Sequence, residues 1–78
     1  MNWEDRIVCD PAILLGKPTI KGTRLSVAFI LDRLADGWTE KMLYENYPRL
    51  KPADLQAIFA YAADCLKEDF AFSRDRRN

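Results

Sequence analysis

At Ser26 the apolar pattern of this sequence changes period, and that change sets most of what the chain can become. Before it, from Arg6-Ile7-Val8-Cys9-Asp10 to Pro18-Thr19-Ile20-Lys21-Gly22, β-branched residues are interrupted by Pro11, Gly16, Pro18 and Gly22. That is the composition of turns and short strands. Ile7-Val8-Cys9 and Pro18-Thr19-Ile20-Lys21 are each too short to stand alone, so they are expected to pack on helices or to pair with another copy. After Ser26, the residues Val27, Ile30, Leu31, Leu34 and Trp38 recur at helical spacing.

The punctuation then predicts three helices. Ser26 is placed to cap the first, over about residues 26 to 36, and Gly37 to end it. Thr39 caps a second, led in by Glu40, with Trp38 and Leu43 at the two positions of a hydrophobic staple. Tyr47-Pro48 stops that helix, because a residue preceding proline is pushed out of the helical region. Pro52 suits a first turn, Asp54 follows in its positive field, and Leu55, Ile58, Phe59, Ala62, Leu66 and Phe70 repeat at three-four spacing, predicting the longest helix over about 52 to 69. The expected architecture is mainly α: a three-helix, helix-turn-helix domain over residues 1–72, preceded by a short N-terminal β-hairpin. Ser73-Arg74-Asp75-Arg76-Arg77-Asn78 has no apolar period and is expected to be a mobile basic tail, residues 73–78.

Size and charge narrow the function. Seventy-eight residues, 49% of them apolar, make one small domain, and a chain this short buries only about 60% of the surface its unfolded form exposes, so self-association is expected. Twelve Lys and Arg balance twelve Asp and Glu, which argues against a protein that grips nucleic acid over its whole surface. The absence of His, with two Cys, removes the commonest general base and leaves too few ligands for structural zinc. No cofactor or metal is expected. Met1-Asn2-Trp3-Glu4-Asp5 shows no signal-peptide pattern and no apolar run approaches membrane length, so a reduced, cytoplasmic protein without a membrane role is expected. Cys9 and Cys65 lie among apolar neighbours and read as small buried hydrophobes rather than a redox pair.

Gly16-Lys17-Pro18-Thr19-Ile20-Lys21-Gly22-Thr23-Arg24 is the most unusual stretch. It is not a phosphate loop, since the order Lys21-Gly22-Thr23 inverts the nucleotide motif. One reading makes it a basic hairpin whose Lys17, Lys21 and Arg24 reach phosphates or an acidic partner. In the other, Gly22 supplies a turn that a Cβ would forbid, and Arg24 braces it against Asp10 or Asp32 by a forked hydrogen bond. Bracing is the preferred reading for Arg24, while Lys17 and Lys21 stay open. Helix three carries Asp54, Asp64, Glu68 and Asp69 against Lys67, with Gln56 almost its only base-reading type, so it is expected to pack rather than read DNA. Its Phe59, Tyr61, Phe70 and Phe72 suit a core or dimer interface. Glu4-Asp5 and Glu68-Asp69 are adjacent in sequence and do not face each other, and no nucleophile-base pair is visible, so catalysis is not expected. A pocket lined by Asp10 and Arg24 would reopen that question.

The order Ile7-x-x-Asp10-Pro11, Gly16-Lys17-Pro18-x-Ile20-x-Gly22-Thr23-Arg24-Leu25-x-Val27, Leu34-x-x-Gly37 and Tyr47-Pro48-x-Leu50-x-x-x-Asp54-Leu55 resembles the small bacterial domain-of-unknown-function family four-three-three, over roughly residues 7 to 65. The resemblance implies a homeodomain-like helix-turn-helix and an antitoxin partnered with a PIN-like ribonuclease toxin. Lys51 departs from the family pattern, standing where a capping Ser or Thr is commoner, and Lys41 stands where Glu is frequent. The expected function is therefore a non-enzymatic antitoxin: a homodimer that neutralises a PIN-like toxin and represses its own operon. Lys17, Lys21, Arg24, Arg49 and Lys51 would contact operator DNA, and Ile7, Val8, Ile20, Phe59 and Phe70 would form the dimer interface. The alternative is a dimeric protein-interaction module without DNA binding.

Overall fold

A computed structural model describes residues 2–77, with side chains described through residue 67. A 3-10 turn at Trp3–Asp5 leads into strand β1 (Ile7–Val8), and a second 3-10 turn at Leu14–Gly16 precedes strand β2 (Thr19–Ile20). Helices α1 (Val27–Ala35), α2 (Glu40–Asn46) and α3 (Pro52–Arg77) follow. The protein is mainly α, three helices preceded by a two-stranded antiparallel ribbon.

The ribbon pairs Ile7 with Ile20 and Val8 with Thr19. Its outer edge does not stay open. The Ile20 N–H donates to the Leu25 carbonyl at 2.9 Å and the Val27 N–H to the Pro18 carbonyl at 2.9 Å, so the entry to α1 occupies the second side of β2. Thr19 is fully buried there, and its hydroxyl donates to the Val8 carbonyl at 3.2 Å. Ile7 and Ile20, expected at a subunit interface, are instead core residues at 4% and 1% exposure within one chain. They pack with Val27, Ile30, Leu43, Leu50, Leu55, Ala57 and Ile58. The hairpin is too small to have a core of its own, so its apolar face is used up on the helices.

The helix boundaries follow the caps. The Ser26 hydroxyl accepts the Phe29 N–H at 2.9 Å, and the Thr39 hydroxyl accepts that of Met42 at 3.2 Å. After α1, Gly37 adopts φ +95°, its N–H donates to Leu34 and the Trp38 N–H reaches back to Arg33, which is a Schellman ending. Tyr47 leaves the helical region ahead of Pro48, as expected, at φ −127° and ψ 80°. Trp38, the outer half of the staple, packs against the cluster that contains Leu43. Lys51 is not a side-chain cap. Its N–H donates to the Asp54 carboxylate at 3.0 Å, half of a capping box, while its carbonyl accepts the Asp54 and Leu55 N–H groups. The helix therefore starts firmly without Ser or Thr at that position. It also runs longer than the apolar period predicts, continuing to Arg77 through most of the segment read as a tail, while Asn78 lies outside the described residues.

Two long-range polar contacts tie the N-terminal segment to α3. Arg6 Nη1 donates to Asp54 Oδ1 at 2.9 Å, and Trp3 Nε1 donates to Asp64 Oδ2 at 2.7 Å. The Trp3 and Tyr61 rings meet edge to face at 4.8 Å. Leu14, Leu15 and Gly16 take φ values of 49°, 58° and 84°. The left-handed region costs an L-residue about 1–2 kcal/mol, so two consecutive leucines there are an unusual local expense in so small a fold.

Candidate functional site

All five cations expected to contact DNA are exposed, but they do not form one set. Lys17 and Arg24 line a cavity of about 420 Å³ with Leu14, Leu15, Ser26 and Phe29. Arg24 also lines a smaller cavity, about 230 Å³, with Arg49, Tyr47 and Asn46. Lys21 opens instead on a cavity shared with Asp5, Arg6 and Asp54, where two carboxylates offset the positive charge. Lys51 lines none of these three. Lys17, Arg24 and Arg49 thus make a linked strip, with Arg24 as its shared member.

Arg24 does not brace the Gly22 turn. Among the described residues it has no ion pair or side-chain hydrogen bond, with Asp10 and Asp32 or with any other group. The turn is closed by its neighbours: the Thr23 hydroxyl donates to the Ile20 carbonyl at 2.8 Å and accepts the Leu25 N–H at 3.0 Å. The long-range brace is Arg49, whose Nη1 donates to the Gly22 carbonyl at 2.9 Å. A hydroxyl two residues before Leu25 satisfies the turn locally, which leaves the Arg24 guanidinium free for solvent or a ligand. Asp10 serves a different local turn, its carboxylate accepting the Ala12 N–H at 2.9 Å, and it lines neither cavity that Arg24 reaches.

The second surface is apolar. Val27, Ala28 and Leu31 of α1 face Tyr61, Ala62, Cys65 and Leu66 of α3 across an open groove of about 400 Å³, with Lys17, Pro18 and Ser26 at its rim. Beside the groove, Phe59, Ala63 and Leu66 follow one another at helical spacing on the solvent side of α3. Phe59 is 49% exposed and Leu66 64% exposed. Of the expected interface residues, Phe59 thus lies at the surface, Val8 is half-buried, and the Phe70 side chain is outside the described residues.

Cys9 and Cys65 are both exposed, contrary to the expectation of buried thiols. Apolar neighbours in sequence did not translate into burial, because Cys9 follows the last residue of β1 and Cys65 lies on α3 past Ile58, the last buried position among the described residues. Burial raises the Tyr61 phenol above its ordinary value, and the neighbouring Cys65 and Cys9 thiols add to the shift. Burial likewise raises Tyr44, together with its hydrogen bond to Glu40.

Arg33, by contrast, is already engaged. It lies over the Phe29 and Trp38 rings at 5.1 and 5.7 Å and pairs with Asp36 at 3.2 Å. Sequence reading missed the functional promise of Leu15, Phe29 and Leu66. The signal was present in Leu14-Leu15, two leucines outside any apolar period and immediately before Gly16-Lys17.

Among the described residues no helix is long and apolar enough to cross a membrane. No curated protein and no solved structure matches the chain. The family described as "Protein of unknown function (DUF433)" matches residues 7–62, a span that takes in the ribbon, α1, α2 and the start of α3 through Ala62, and the chain belongs to that family.

Proposed function

We propose that this protein is a non-enzymatic, antitoxin-like binding protein that self-associates and masks a PIN-like ribonuclease toxin. The observation that carries the reading is the apolar groove between α1 and α3, continued by the exposed Phe59, Ala63 and Leu66. Fully burying one large apolar side chain contributes about 1.5–3 kcal/mol, and a partner that fills this groove and covers Phe59 and Leu66, 49% and 64% exposed, gains the corresponding part of that increment at each. Among the described residues the solvent side of α3 presents Gln56, Phe59, Ala63 and Asp64 with Lys67 as its one cation, and Lys67 lies 3.9 Å from the Asp64 carboxylate, which supports protein binding over base reading by that helix.

The test is co-expression with the product of the neighbouring reading frame, scored by co-purification and by rescue of toxin-induced growth arrest. Wild-type protein is expected to rescue, and Leu66→Arg, on an exposed position, to abolish rescue while leaving the circular dichroism melt unchanged. Rescue by Leu66→Arg, or no complex with wild type, refutes the reading.

Operator binding is the second reading, and the Lys17, Arg24 and Arg49 strip supports it. It places the DNA contact on the hairpin side and leaves the groove to protein. Cytoplasmic residence follows from this proposal, because a nuclease inhibitor must meet its target in the compartment that holds RNA.

A further inference from the structure

The turn before β2 holds an apolar side chain in water. Leu15 is 92% exposed, and it is kept there by backbone at φ 58°, between Leu14 at 49° and Gly16 at 84°. Such conformations are unfavourable for residues with a Cβ and persist where surrounding structure imposes them, often at ligand clamps. Phe29, on the first turn of α1, is 37% exposed and shares the cavity of about 420 Å³ with Leu15. The other members are Leu14, Ser26, Lys17 and Arg24. Among the described residues neither Lys17 nor Arg24 has an ion-pair partner. Two exposed apolar groups and two unpaired cations therefore open on one concavity, and Lys17 and Ser26 connect it to the α1 and α3 groove.

We propose that the Leu15 turn, Phe29, Lys17 and Arg24 form a docking surface for an acidic segment of a partner protein. Its carboxylates pair with Lys17 and Arg24, and an aliphatic anchor packs between Leu15 and Phe29. Charge complementarity selects the occupant: two free cations need anions, and an exposed leucine beside them needs an apolar group that a phosphate backbone does not offer. The segment runs on across Lys17 into the apolar groove, so the inference rests on the partner-binding reading and specifies the chemistry of the partner.

The probe is a fluorescein-labelled twelve-residue peptide of alternating Glu and Leu, titrated with the full chain by anisotropy. Alternating Glu-Ser and Lys-Leu peptides and a DNA duplex are the comparison arms. Leu15→Asn removes the anchor contact while keeping a residue that tolerates the left-handed region, and Arg24→Gln removes one charge. The Glu-Leu peptide is expected to bind, each variant to weaken it by about tenfold, the loss of one good contact, and the Leu15→Asn melting temperature to hold or rise. Equal binding of the Glu-Ser peptide, tighter binding of the duplex with no dependence on Leu15, or unchanged affinity in both variants overturns the proposal. Self-association that is lost in Leu15→Asn also overturns it, by assigning the surface to a second copy. Toxin binding that survives both variants but fails in Leu66→Arg defeats this proposal and leaves the partner-binding reading standing. Peptide binding without any toxin complex does the reverse.

Discussion

Replacing Arg6 with Ala leaves the Asp54 carboxylate in place, 5% exposed, without its ion-pair partner. In the native fold its two oxygens are divided: one accepts Arg6 Nη1 at 2.9 Å, the other the Lys51 N–H at 3.0 Å. Breaking a fully desolvated pair from one side costs about 3–5 kcal/mol. Arg6 keeps 40% of its side chain in water, so solvent screening lowers the loss toward that of one charged hydrogen bond, about 1.5–3 kcal/mol. For a domain of this size the melting temperature should fall by about 6–24 °C. Asp54→Ala removes the same pair and also the capping contact, a further loss of about 1 kcal/mol. The double variant is expected to be no less stable than Asp54→Ala, because Arg6 then has nothing to bind. Urea unfolding followed by circular dichroism gives all four stabilities and hence the coupling energy. A coupling below about 0.5 kcal/mol, the level of independent sites, refutes the assignment of this pair as the link between the N-terminal segment and α3.

Gly22 holds φ +81°, and a Cβ added there would meet nothing within 4 Å, so Gly22→Val should destabilise through backbone conformation alone, by about 1–3 kcal/mol in urea unfolding. Arg49→Ala should lower stability by about 1 kcal/mol through loss of the bond to the Gly22 carbonyl, whereas Arg24→Ala should leave the melting temperature unchanged. The raised phenols of Tyr61 and Tyr44 mean that unfolded tyrosines lose protons first as pH climbs through their ordinary value near 10. Stability should therefore be complete below that pH and decline above it, and Tyr61→Phe should flatten the decline in thermal melts taken across the alkaline range. If the hairpin side contacts DNA, log affinity should fall with log salt at a slope of about −0.9 per phosphate contact. Arg24→Gln should then flatten it by about one unit for each copy bound, and Gln56→Ala should leave it alone.

The elements that were legible in the sequence are those decided within a few residues. Ser26, Gly37, Thr39, Pro48 and Pro52 each satisfy or forbid a backbone hydrogen bond in their own turn, and the helices begin and end beside them. Arg24 illustrates where that locality fails. Both it and Arg49 flank turns and carry the same fork of donors, yet Arg49 reaches the Gly22 carbonyl across 27 positions of chain while Arg24 does not close its own turn. Which arginine braces is set by the packing of the loop before α3 against the hairpin, a fact of tertiary geometry that spacing does not encode. The same holds for Ile7 and Ile20: their β-branching marked a ribbon, but whether its apolar face meets a second copy or the helices depended on how the chain enters α1. Once Leu25 and Val27 bond to β2, that face is turned onto Ile30, Leu43 and Ile58, and the apolar residues left exposed include some that the period did not recruit. Leu15 and Phe29 are two of those residues. Their exposure beside Lys17 and Arg24 is what a helix-centred reading of the sequence passes over, because neither cation lies on a helix and Leu15 sits in a turn.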